Sequence, residues 1–149
     1  MAMDDVQLLA RMNSFVPPTA LLLGCKILEL DSARGTIRVE YLAKRDFCNP
    51  MGSVQGGFVA AMLDDAAAMS AIVKSGERIV VPTLEFKTTF FGAAKAGPLF
   101  VEGRCLKLGK RVAFMESDMF DPDGRHLARM SCTAMPMPMP EKPTMVERG

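Results

Sequence analysis

Sixteen consecutive residues, Phe58 to Val73, contain no glycine, no proline and no basic residue, and six of them are alanine. Their only charges are the adjacent Asp64 and Asp65. A helix that is apolar nearly all round has to be enclosed, so the rest of the chain must wrap it. Read as residues 57–73, the helix spans about 25 Å at 1.5 Å per residue. Lys74, Ser75 and Gly76 supply its stop.

The flanking sequence provides the wrapping. Residues 4–14 carry Val6, Leu8, Leu9 and Met12 at helical spacing behind an Asp pair, and Pro17-Pro18 stops that first helix. Strands are expected at about 22–30 and 35–42, linked by the turn-rich 31–35. Residues 43–56 read as a loop punctuated by Asn49-Pro50, Gly52 and Gly56-Gly57. After the central helix, Thr83, Glu85, Lys87 and Thr89 alternate with Leu84, Phe86, Thr88 and Phe90, a half-buried strand pattern. Further strands follow at about 99–107, 111–120 and 126–134, joined by short turns, so the sheet should be mostly antiparallel and the class α+β. Residues 1–135 form a single domain in this reading. The tail 136–149, with Pro136, Pro138, Pro140 and Pro143, is expected to be a flexible extension of polyproline character without regular structure.

At 149 residues the chain is one ordinary domain, 49% hydrophobic and 23% charged. Its 18 Lys and Arg balance 17 Asp and Glu without a basic run, which argues against a nucleic-acid partner. The acidic start lacks an apolar signal core and no 18 consecutive residues are apolar, so no membrane partner and a cytoplasmic location are expected. Cys25, Cys48, Cys105 and Cys132 form no CxxC, and with a single histidine no metal site is expected.

A carboxylate inside an apolar helix costs several kcal/mol unless it faces a cleft or a partner. Just before this helix, Gly56-Gly57 would present backbone N–H groups at its positive end, where an oxyanion can bind. The run Asn49-Pro50-Met51-Gly52-Ser53-Val54-Gln55-Gly56-Gly57, with Asp64 seven residues on, resembles the signature of the phenylacetyl-CoA (PaaI-like) branch of hotdog acyl-CoA thioesterases. The likeness extends over about residues 5–134, through Leu23-Gly24, Val81-Pro82-Thr83-Leu84-Glu85 and Asp123-Gly124. It implies a hotdog fold, an antiparallel sheet around one long helix with a short N-terminal helix. It also implies hydrolysis of an acyl-CoA to free acid and coenzyme A, which is part of the substrate, so no separate cofactor is needed.

In that resemblance Asp64 is general base or nucleophile, the Gly56 N–H polarises the carbonyl with Gly57 beside it, Asn49 positions the carbonyl or the water, and Thr83 holds the water. Carboxylate and oxyanion donors would come from opposite subunits of a homodimer, with a dimer of dimers as the larger assembly. Gln55 stands where the family commonly has histidine; it can position but cannot carry a proton. Asp65 stands where a neutral residue is more usual, with an ion pair across the dimer or no role. Lys107, Lys110 and Arg111, at a hairpin tip, are the cations best placed for coenzyme A phosphates.

Other chemistries fit less well. Ser53 sits one place too early for a GxSxG elbow, and His126, the sole histidine, is on a late strand. Cys48 reads as structural, Asp121-Pro122-Asp123-Gly124 as a turn, and a hotdog dehydratase would need a histidine in the 49–57 loop. The alternative from another class is a non-catalytic acyl-CoA-binding or regulatory hotdog module.

Overall fold

A computed structural model describes residues 2–148; Met1 and Gly149, the outermost residues of the acidic start and of the tail, lie outside the described residues. In chain order the elements are α1 (Asp5–Ser14), β1 (Phe15–Val16), α2 (Pro18–Leu22), β2 (Lys26–Asp31), β3 (Thr36–Ala43) and α3 (Gly56–Lys74). They continue with β4 (Ile79–Val80), β5 (Thr83–Phe90), β6 (Gly97–Leu108), β7 (Ala113–Phe120), β8 (His126–Ala134), β9 (Met137–Pro138) and β10 (Val146–Glu147). Six strands form one antiparallel sheet in the order β2-β3-β6-β7-β8-β5. The sheet wraps α3, which is the hotdog arrangement.

α3 is long and apolar enough to cross a bilayer by composition alone. Its apolarity is instead accounted for by the core, where Val59, Met62, Leu63, Ala66 and Ala67 are buried against the sheet. The approach is closest at Gly103 on β6, where an added Cβ would lie 2.5 Å from the Ala66 carbonyl oxygen. Ser117 on β7 donates its hydroxyl to the Leu63 carbonyl at 2.8 Å, tying sheet to helix. α1 begins with a capping box, in which Asp4 and Gln7 each accept from the other's backbone N–H.

Three expectations need correction. Pro17-Pro18 ends α1 but also starts α2, with Pro18 in the first turn, where its missing N–H costs nothing. The strand expected from residue 22 therefore begins at Lys26.

The β5 alternation breaks at its start. A register shift between Thr83 and Glu85 pairs Thr83 with Ala134 and Glu85 with Thr133, so Thr83 joins the helix-facing side with Phe86, Thr88 and Phe90.

The tail also has regular pairing, contrary to the reading of its prolines. Pro138 and Met137 pair with Ile79 and Val80, and Val146 and Glu147 pair with Val16 and Phe15. Prolines at 136, 138 and 140 alternate with methionines, so every available N–H points to the same side. Met135 and Met139 donate to the carbonyls of Pro82 and Arg78 at 2.9 Å each. A strand needs donors on one side only if it lies at an edge, and there proline is tolerated.

Candidate active site

The loop before α3 is organised around Asn49. Its Oδ1 accepts from the N–H groups of Met51 (3.0 Å) and Ser53 (3.2 Å), its own N–H donates to the Ser53 carbonyl at 2.7 Å, and its carbonyl accepts from Gly52 at 2.9 Å. The side-chain oxygen is thus committed to the loop, and only the amide group is left to face a ligand. Gln55 is anchored by its N–H to the Phe47 carbonyl (2.8 Å), and Phe47 stacks on Phe58 with ring centroids 4.2 Å apart.

From this anchored start α3 departs with Gly56 and Gly57. The Gln55 carbonyl accepts from Phe58 and Val59, while the N–H groups of Gly56 and Gly57 have no acceptor among the described residues. A helix start with two unpaired donors is a ready anion site. The glycines also keep it open: a Cβ on Gly56 would meet the Phe90 ring at 3.2 Å, and one on Gly57 would meet the Gln55 side-chain oxygen at 3.1 Å.

The two aspartates face different surroundings. Asp64 Oδ1 accepts from the Thr83 hydroxyl at 2.9 Å, with the Cys132 thiol 3.9 Å away. Burial, with Asp64 adding to it, pushes the Cys132 thiol up to about 11, so it stays protonated. Thr83 is exposed and Asp64 half-buried, leaving the carboxylate reachable. Asp65 turns inward and accepts from the Tyr41 hydroxyl at 2.7 Å. Burial raises its carboxyl from 3.8 to about 6; the Tyr41 hydrogen bond opposes that rise and the charge of Asp64 adds to it. Burial likewise holds the Tyr41 phenol well above its usual value and drives the nearby Cys25 thiol to about 12.

Lys107, Lys110 and Arg111 are exposed at the β6–β7 hairpin, with no ion pair among the described residues. The register Thr83–Ala134, Ala134–Ala113, Ala113–Leu108 carries this tip to the end of the sheet where Thr83 sits. Two to three strand spacings separate them, about 10–14 Å. His126 contacts Asp118 at 2.8 Å between the rings of Phe91 and Phe120, and hydrogen-bonds no serine among the described residues. In the 121–124 turn, Asp121 Oδ1 accepts from the N–H groups of Asp123 and Arg125.

Sequence reasoning missed two neighbours of the aspartates. Cys132 reaches Asp64 from 68 residues away and Tyr41 reaches Asp65 from 24 residues before it. No local pattern marks either one.

A sequence model of the thioesterase superfamily matches residues 51–128, just over half of the chain. The chain belongs to the thioesterase superfamily. A solved structure of a candidate thioesterase, a phenylacetic acid degradation-related protein of Ralstonia eutropha JMP134, is 31% identical. It superposes with a TM-score of 0.79 over 89% of this chain and 99% of that one. A candidate esterase of Saccharolobus solfataricus is 27% identical over 103 residues, 69% of this chain and 71% of its own length. A Streptococcus mutans UA159 protein solved with acetyl-CoA shares the fold, with a TM-score of 0.68 and 16% identity over 76% of this chain and 89% of that one. Membership in this superfamily supports thioester hydrolysis as the general activity.

Proposed function

We propose that this thioesterase hydrolyses an acyl-CoA in the cytoplasm, at sites completed by two copies of the chain. The observation that carries the reading is the reachable Asp64–Thr83 pair together with the unpaired Gly56 and Gly57 N–H groups on the same helix. Eight residues of helix separate Asp64 from Gly56, about 12 Å at 1.5 Å per residue. The donors must lie about 3 Å from the carbonyl oxygen and the base about 3 Å from the attacking water, a combined reach well short of that separation, so one chain cannot supply both. A second copy related by a two-fold axis could bring its helix start to the carboxylate of the first.

The edge strand β5 supports such a partner. Leu84, Phe86, Phe90 and the following Phe91 are between 44% and 59% exposed, on a strand whose outer edge is unpaired among the described residues. An apolar open edge of this kind invites pairing with another copy. Sedimentation should give the mass of two copies, or of four where the dimers pair in turn. Four free thiols, three of them buried, suit a reducing compartment.

In the reaction, Asp64 accepts a proton from water as the water oxygen bonds to the thioester carbon. The carbonyl oxygen takes the negative charge and is held by the Gly56 and Gly57 N–H groups of the other copy. The C–S bond then breaks, the proton on Asp64 passes to the coenzyme A thiolate, and the free acid leaves. Direct attack by Asp64 would instead form an acyl-aspartyl anhydride that water then cleaves. Thr83 orients Asp64 or its water, the Asn49 amide and Gln55 position the carbonyl, and Lys107, Lys110 and Arg111 meet the coenzyme A phosphates.

Free-thiol release from acyl-CoAs by two variants tests the shared site. Asp64→Asn should lower turnover by about 10²–10⁴-fold with binding retained. Gly56→Pro removes one oxyanion donor at a first-turn position whose backbone suits proline, after a Gln55 already extended at φ −59° and ψ 140°; its ring must displace the Phe90 ring, which a Cβ would meet at 3.2 Å, so the Tm of this variant is measured alongside its rate. Each variant alone should be nearly inactive. Refolded together, they should recover about a quarter of wild-type rate, because half the dimers are mixed and each mixed dimer has one intact site. No recovery would refute the shared site, and binding without hydrolysis by the wild type would favour the binding-module alternative.

A further inference from the structure

A cavity of about 570 Å³ lies between α1, α3 and the C-terminal tail, away from the loop that starts α3. Its apolar lining is mainly aliphatic and thioether, with a single aromatic ring, Phe15, among the described residues, and with Met12, Met69, Met139 and Met145 contributing from three separate segments. Methionine is the side chain best suited to a wall that fits contents of varying length. The charged and amide groups on the wall are already occupied. Arg11 pairs with Glu77 at 2.8 Å, Asn13 makes two 2.9 Å hydrogen bonds to the Ile27 backbone, and Asp65 accepts from Tyr41 at 2.7 Å. None of these calls for a polar ligand group.

The cavity begins close to the proposed chemistry. Ala68 lies one helical turn beyond Asp64 on the same face, about 6 Å along the axis, and it lines the cavity, as does Asp65 next to Asp64. A chain attached to a thioester carbon at Asp64 could therefore enter it directly. At about 30 Å³ per small group, the volume holds roughly fifteen to twenty methylenes, and an aryl group of about seven carbons would leave more than half of it empty.

We propose that this cavity, walled on one side by the C-terminal tail, holds the acyl chain of the substrate and selects unbranched aliphatic chains, with room for up to about fifteen to twenty carbons. The assignment rests on the acyl-CoA reading above and adds the substrate class to it.

The test combines thiol release from straight-chain acyl-CoAs of increasing length, and from phenylacetyl-CoA, with binding of non-hydrolysable thioether analogues. Affinity for the analogues should tighten by up to about fourfold per methylene until the cavity is full. The kcat/KM should favour decanoyl-CoA over phenylacetyl-CoA by at least tenfold. Met12→Trp, on α1, should fill the cavity and move the optimum to shorter chains. Thr144→Trp, on the exposed tail, repeats the test where the fold is not at risk, and should produce the same shift. Hydrolysis of short acyl-CoAs with no gain from lengthening, or tryptophan variants with unaltered profiles, would overturn the cavity assignment alone. Length-dependent analogue binding without hydrolysis would uphold the cavity and remove the catalytic reading; absence of both would overturn the two together.

Discussion

Asp65→Asn should make the protein more stable at neutral pH than at acid pH, relative to wild type. The rise of the Asp65 carboxyl from 3.8 to about 6 corresponds to roughly 3 kcal/mol against its charged form in the fold, most of it from burial. The folded chain therefore keeps this proton up to about pH 6, whereas the unfolded chain releases it near pH 4. Between those values the native state binds more protons, so its stability falls as pH rises and levels off above about pH 7. Asparagine has no proton to lose and can still accept the Tyr41 hydrogen bond. Its own amide group changes the absolute stability by a constant amount, which makes the pH dependence the informative quantity. The difference between variant and wild type should grow by up to about 3 kcal/mol from pH 4 to pH 7, or roughly 6–12 °C in Tm. Urea unfolding followed by circular dichroism, at one protein concentration because assembly contributes, measures it directly. Parallel stability curves for the two proteins would refute the argument, since the carboxyl would then be as easily ionised in the fold as outside it.

Three further substitutions probe the architecture. Thr83→Val keeps the branched shape on the β5 bulge but removes the donor to Asp64, and should lower kcat by about 10–100-fold with little change in Tm, as expected for one hydrogen bond to a charged group. Phe86→Lys on the open β5 edge should reduce the sedimenting mass and the thioesterase rate in parallel; a monomer of full activity would refute the two-copy site. Gly103→Ala places a Cβ 2.5 Å from the Ala66 carbonyl and should destabilise the chain by about 1–3 kcal/mol in denaturant unfolding, by forcing α3 off the sheet.

The central helix was legible because its signal is local: an unbroken apolar run read as 57–73 proves to be Gly56–Lys74. The strands of the second half followed from turn chemistry, and β8 falls on the expected residues 126–134. What escaped the sequence depends on single-residue geometry or on distant partners. Pro18 reads equally well as the end of one helix and the start of the next. The extra residue at the beginning of β5 reverses the side on which Thr83 lies, and alternation alone would have turned it away from Asp64. Asp65 carries the same local signal as Asp64 and is half-buried like it, and only Tyr41, brought over by β3, distinguishes the acid held at the cavity wall from the one beside Thr83. The number of prolines in the tail argues against regular structure, whereas their spacing of two is what allows the tail to pair.

That spacing has a consequence for how the molecule avoids unwanted company. With prolines at 136, 138 and 140, the outward side of β9 has carbonyls but no N–H groups, so an incoming strand would find no donors there. The β4–β9 ribbon is consequently a dead end for strand addition. β5, by contrast, contains no proline and keeps its donors along an exposed apolar edge. The chain can thus join a twin at β5, while an incoming strand is refused on the outward side of β9.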